Sequence, residues 1–177
     1  MDVKPLVSGS FLVALGVIIP TIFHMTGVGG TIFLPMHIPV LFAGIILGPG
    51  LAALVGILCP ILSHLLTGMP PLSPVPMLPI MVVELAVYGI AMGYLFNRYS
   101  LNIWTSLLGA MILGRLAAGL TVAVMAPLFN LPLKPLPFIQ GAIVTGLPGI
   151  ILQFLIIPSV TQRFFTSYRK KEISKSP

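Results

Sequence analysis

Stretches of apolar sequence, most of them close to twenty residues long, follow one another with only short clusters of Gly, Pro and polar residues between them. A membrane helix needs roughly twenty apolar residues to cross a hydrocarbon layer of about 30 Å. The punctuation predicts six spans, at residues 6–25, 35–47, 50–66, 77–96, 103–129 and 136–165. The second is short, and Gly48-Pro49-Gly50 turns it tightly into the third. A full pair of spans and a partly re-entrant hairpin both fit that turn; the single cluster of Gly and Pro favours the full pair. Barrel strands would alternate apolar and polar residues over about ten positions, which these runs do not do.

Composition agrees. Of 177 residues, 57% are hydrophobic and 7% charged, where soluble domains carry about 25% charged residues. A soluble fold has too little polar sequence here to cover its surface. The expectation is an all-α, polytopic membrane protein forming a single transmembrane domain over 1–177, with a basic tail at 166–177. The net charge of +6 does not indicate nucleic acid, because most of it is Arg163, Arg169, Lys170, Lys171 and Lys175, beside the end of the last span. The apolar stretch after Lys4 exceeds a signal-peptide core of about 7–15 residues and lacks a clear cleavage site, so it reads as the first span. Cys59 is the only cysteine and lies in an apolar run, where packing is its expected role.

Six spans place both termini on one side. If that side is the cytoplasm, Lys4, Arg98, Arg163, Arg169, Lys170, Lys171 and Lys175 are inside, leaving Lys134 outside and Arg115 within a span, out of nine basic residues. The positive-inside rule therefore predicts an N-in, C-in protein. The outer connections, 26–34, 67–76 and 130–135, are rich in Gly and Pro, whereas the inner turns are short. Ordered loops of this kind commonly carry function.

Two strongly charged groups fall within spans: Glu84 and Arg115. Each costs at least about 2.5–3.5 kcal/mol at a helix centre, so neither can face lipid alone. At 1.5 Å per residue they lie roughly 10 Å and roughly 20 Å from the outer ends of their helices. They can hold a polar ligand, form a bridge that locks two helices, or do both. Tyr88 shares a helix face with Glu84, four residues on, and either flanks a ligand or packs in the core. Gln140 and Gln153 are amides in the last span, and Gln140 is the outer of the two. His37, beside the Gly-rich outer loop, is a further candidate for substrate contact. His24, His37 and His64 show no metal-ligand spacing, and no metal is expected. Ser63-His64 lacks the surroundings of a hydrolase site, and Gly27-Val28-Gly29-Gly30 lacks the Lys-Ser/Thr of a phosphate loop. No nucleotide motif is present, so any ATP is hydrolysed elsewhere and no cofactor is expected in the chain. Ser10 and Ala14, with Gly9 and Gly16 nearby, have the small-residue spacing that lets helices approach closely, within the chain or against a partner subunit.

The sequences FLPMHIPVLFAG at 33–44, LLTGMPP at 65–71, MLPIMVVELAVYG at 77–89, Gly114-Arg115 and GAIVTGLPGIILQ at 141–153 resemble substrate-binding S components of energy-coupling factor (ECF) transporters, over nearly the whole chain. The resemblance implies a six-helix S-component fold in a bacterial cell membrane, with both termini cytoplasmic. It implies capture of a vitamin or precursor in an outward pocket lidded by loops, and no enzymatic activity. It also implies partners: a transmembrane T protein and two ATPases that hydrolyse ATP, with Ser10 and Ala14 standing where the family has an Ala-xxx-Ala contact surface. Glu84, Tyr88, Arg115, His37 and Gln140 are the expected substrate-binding residues. Pantothenate leads as substrate, since Arg115 suits its carboxylate; hydroxymethylpyrimidine, which Glu84 suits, and pyridoxine-type compounds follow. A stand-alone secondary transporter or channel is the other class, and would work without ATPases; an intramembrane enzyme would instead turn over its substrate.

Overall fold

The computed structural model describes residues 3–25 and 30–173, with backbone only for 30, 31 and 164–173. The described residues are helical and contain no strand. Helix α1 is Val3–Met25, α2 a single turn at Gly30–Phe33, α3 His37–Leu47, α4 Pro49–Thr67, α5 Met77–Gly93, α6 Ile103–Leu128 and α7 Pro135–Ile173. Helix α5 runs on into a π-helical turn, Tyr94–Arg98.

Local chemistry explains the ends. Gly48 has φ 79°, accessible to glycine at no steric cost, and Pro49 then starts α4 at a position that needs no N–H donor. Gly68, also left-handed at φ 74°, closes α4 by donating its N–H to the His64 carbonyl. Asn102 caps α6, its side chain accepting from Thr105 N at 2.8 Å. At the π turn, Asn97 Nδ2 donates to the Gly44 carbonyl at 2.8 Å, tying the end of α5 to α3.

Among the described residues, five helices are long and apolar enough to cross a membrane: Val3–Met25, Pro49–Thr67, Met77–Arg98, Ile103–Leu128 and Pro135–Arg163. The remaining expected span, α3, has 11 residues, or about 16 Å. It ends where Gly48 and Pro49 meet Gly93 of α5, and starts with His37 Nε2 3.7 Å from Glu84 Oε1. Thus α3 covers one end of the bundle and begins at the depth of Glu84. Part of the expected outer loop is helical as α2, which packs on α7; residues 26–29 lie outside the described residues. Helix α7 continues into the segment expected as a tail, as far as Ile173; residues 174–177 and the tail's charged side chains lie outside the described residues.

The packed interior joins Leu12, Val40, Leu41, Ala52, Cys59, Leu85, Met92, Leu107 and Ile157. Contacts are close because glycines face backbones: a Cβ on Gly56 would lie 2.5 Å from the Leu85 carbonyl oxygen, and one on Gly89 2.6 Å from that of Ala52. Large apolar side chains point outward instead, as in the ridge Leu108, Ile112, Leu116, Leu120 and Val124 of α6. Small residues between helices and large ones outside is the arrangement lipid favours, since tails solvate Leu as well as a core does.

Gly56→Val should therefore force α4 from α5 and destabilise the protein by about 1–3 kcal/mol or more. Gly50→Ala, where an added Cβ meets nothing within 4 Å, should leave stability equal or slightly raised. Thermal unfolding of both variants in detergent checks this.

Candidate functional site

The end of α1, the start of α3, the end of α4, the starts of α5 and α7 and the middle of α6 converge on one cavity of about 440 Å³. It lies at the end of the bundle away from the start of α1. The segment 69–71 borders it, and His64 Nδ1 lies 2.8 Å from the Pro70 carbonyl; the carbonyl can only accept, so this nitrogen carries the proton. Much of the wall is apolar: Leu34, Met36, Met69, Met77, Met81, Phe138 and five prolines, Pro20, Pro35, Pro70, Pro71 and Pro137. Proline brings no N–H donor, so these wall segments bring few backbone donors to satisfy.

Polar recognition falls to His24, His37, Ser63, Glu84, Arg115 and Thr145. Glu84 on α5 and Arg115 on α6 meet directly, Nη1 donating to Oε1 at 2.6 Å. The contact is single rather than bidentate. Arg115 Nε and Nη2 are buried without a partner among the described residues, although such donors are normally satisfied. His37 is 1% exposed, and neither ring nitrogen has a hydrogen-bond partner; its 3.7 Å approach to Glu84 is too long for one. The site thus holds one internally neutralised ion pair plus donors and an imidazole in reserve.

Of the residues singled out from sequence, Glu84, Arg115 and His37 come together on the cavity. Tyr88 stands one layer behind: it is 1% exposed, does not line the cavity, and meets His37 edge to face with ring centroids 4.9 Å apart at 86°. Gln140 is exposed and off the cavity, because α7 turns Phe138, Gly141, Ala142 and Thr145 inward, and a helix sets Gln140 about 200° from Phe138 and Ala142 alike. Gln153 is buried and unpartnered near the middle of α7, off the cavity. Ser10 and Ala14 are exposed on α1. The sequence reading missed the methionines and Thr145. The signal for Thr145 was its helical spacing from Phe138 and Ala142; Met36, Met69, Met77 and Met81 carried none beyond their density near the outer ends. Among the described residues, no three His, Cys, Asp or Glu side chains gather as a metal site.

A helical bundle with lipid-facing apolar ridges and a small, mostly apolar cavity holding a few buried polar groups defines an integral membrane protein that binds a small molecule. The chain belongs to the family described as "ECF transporter, substrate-specific component", whose model matches residues 4–161. No curated protein and no solved structure matches it significantly. The protein is accordingly a membrane-embedded substrate-binding subunit of an ECF transporter, a family that works with T and ATPase modules.

The ion pair has a direct thermodynamic signature. Glu84→Gln strands a buried guanidinium and should destabilise the ligand-free protein by about 3–5 kcal/mol. The double variant Glu84→Gln/Arg115→Met should lose less than the sum of the two single changes. Thermal unfolding measures all three; additive losses would mean the two charges do not interact.

Proposed function

We propose that this subunit captures a vitamin or vitamin precursor from outside the cell, with pantothenate the leading substrate. The observation that carries this reading is the pair of unpartnered Arg115 donors, Nε and Nη2, on a residue that lines a cavity of about 440 Å³. A ligand carboxylate would satisfy both through charge-assisted hydrogen bonds. The start of α3 borders the same cavity, and a helix N-terminus favours negative charge. The cavity falls within the ~300–1,000 Å³ usual for small-molecule sites.

The family resemblance supports delivery to a transmembrane T protein and two cytoplasmic ATPases that hydrolyse the ATP; Ser10 and Ala14 are on the proposed T-protein surface. Both termini are placed in the cytoplasm, in one domain with six membrane-embedded helical segments, of which α3 is the short one. A second reading rests on Glu84, whose carboxylate also lines the cavity, beside the imidazole of His37 and among thioethers that pack well on aromatic rings. That set suits an aminopyrimidine such as hydroxymethylpyrimidine, with pyridoxine-type rings behind it.

Calorimetry on folded variants separates the two. For pantothenate, Arg115→Gln should weaken binding roughly 10- to 150-fold, the equivalent of about 1.5–3 kcal/mol. Arg115→Lys should recover part of that, since an ammonium lacks the planar fork. For hydroxymethylpyrimidine, Glu84→Gln should be the severe change. If neither substitution alters binding of either compound, the pair is structural.

Orientation has its own test. In a Cys59→Ala background, an impermeant maleimide should label Ser73→Cys on intact cells, and Ser100→Cys only after permeabilisation. The opposite pattern would place the cavity on the cytoplasmic side and overturn uptake from outside.

A further inference from the structure

We propose that Gly114 and Tyr88 are positioning residues for ligand recognition, and that they act through His37. The two helices that supply the ion pair also supply this second chain of contacts. Gly114 precedes Arg115 on α6, and a Cβ there would run into the Tyr88 ring. Tyr88 follows Glu84 by one helical turn on α5, so the glycine is what lets the phenol ring lie close against α6. The same ring meets His37, the first residue of α3, in an edge-to-face contact with centroids 4.9 Å apart.

No hydrogen bond among the described residues holds the His37 ring. Both ring nitrogens lack partners, its backbone N–H is used on the Leu34 carbonyl at 3.1 Å, and Glu84 stands beyond hydrogen-bond reach. The orientation of the imidazole at the cavity is therefore set by packing against Tyr88. Aromatic pairs prefer this edge-to-face geometry, and a phenyl ring serves as well as a phenol. Tyr88 thus contributes its ring rather than its hydroxyl, which explains how a residue outside the cavity bears on binding. In its neutral form an imidazole presents one donor and one acceptor, which matches a ligand group with the same double character, a hydroxyl or an amide.

The inference rests on the cavity being the ligand site, and the experiment has one arm that needs no ligand. With ¹³C,¹⁵N-histidine incorporated in the full-length protein, the His37 ring resonances are assigned by their loss in His37→Gln. Gly114→Ala and Tyr88→Leu should each shift them, while Tyr88→Phe leaves them in place and the His24 and His64 signals stay unmoved. Unmoved His37 resonances in Tyr88→Leu overturn the proposal, even if Gly114→Ala fails to fold. In the second arm, calorimetry with pantothenate and with hydroxymethylpyrimidine should show Gly114→Ala weakening Kd by the worth of one neutral hydrogen bond, roughly 2- to 12-fold. The same substitution in a His37→Gln background should change nothing further. An equal loss in both backgrounds would overturn action through His37. Binding of neither compound by the unaltered protein would overturn the substrate reading instead, with the resonance arm still deciding the positioning role.

Discussion

The bond between Arg115 Nη1 and Glu84 Oε1 sets the register of the bundle. A lone charge inside an apolar helix is expensive by several kcal/mol, so α5 and α6 can pack only where guanidinium and carboxylate meet. Once they do, the neighbours follow. Gly114 comes to lie against Tyr88, Tyr88 faces the start of α3, and His37 is carried to the cavity beside Glu84. One ion pair thereby aligns three helices around the place where a ligand would sit.

The two ends of the molecule are built differently. Toward the α3–α4 turn, glycines press helix on helix, Gly44 against Met92, Gly56 against Leu85 and Gly93 against Pro49, and the core residues there are fully buried. Toward the cavity, Pro, Met and loop residues replace that tight packing. Methionine adapts its shape at low cost, and proline removes donors that a cavity wall would otherwise have to satisfy. A rigid end and an adaptable end in one bundle match the needs of a binding subunit: the first preserves the geometry of the buried charges, and the second conforms to what enters.

Buried polar groups divide less cleanly. Ser106 at the packed end finds a backbone acceptor, whereas Gln153 and Thr161, off the cavity, have no partner among the described residues. Arg115 and His37 at the cavity retain unused capacity. Such capacity is unfavourable in the empty protein, and a ligand that fills it recovers the loss, which is how a site with few polar side chains can be selective.

Span positions, the existence of a charged pair and the Gly- and Pro-rich loops at one end were legible from sequence, because length, hydropathy and the cost of burying charge act locally. The cysteine at Cys59 also sits where its apolar surroundings suggested, fully buried between α1 and α4. Facing was not legible. A helix that is apolar all round has no polar stripe to mark which side turns inward, so the sequence singles out Gln140 as a candidate for substrate contact, whereas α7 presents Phe138, Ala142 and Thr145 to the cavity. Tyr88 was read as a possible ligand neighbour, and the packing of α6 placed it behind His37. The half-length of α3 likewise depended on where Glu84 and the Gly48–Pro49 turn fall in space. The amino-acid sequence determined that this chain enters the membrane and which charges it must bury; the tertiary structure decided which side chains meet, because in lipid that choice is made by close contact between helices and not by the exclusion of water.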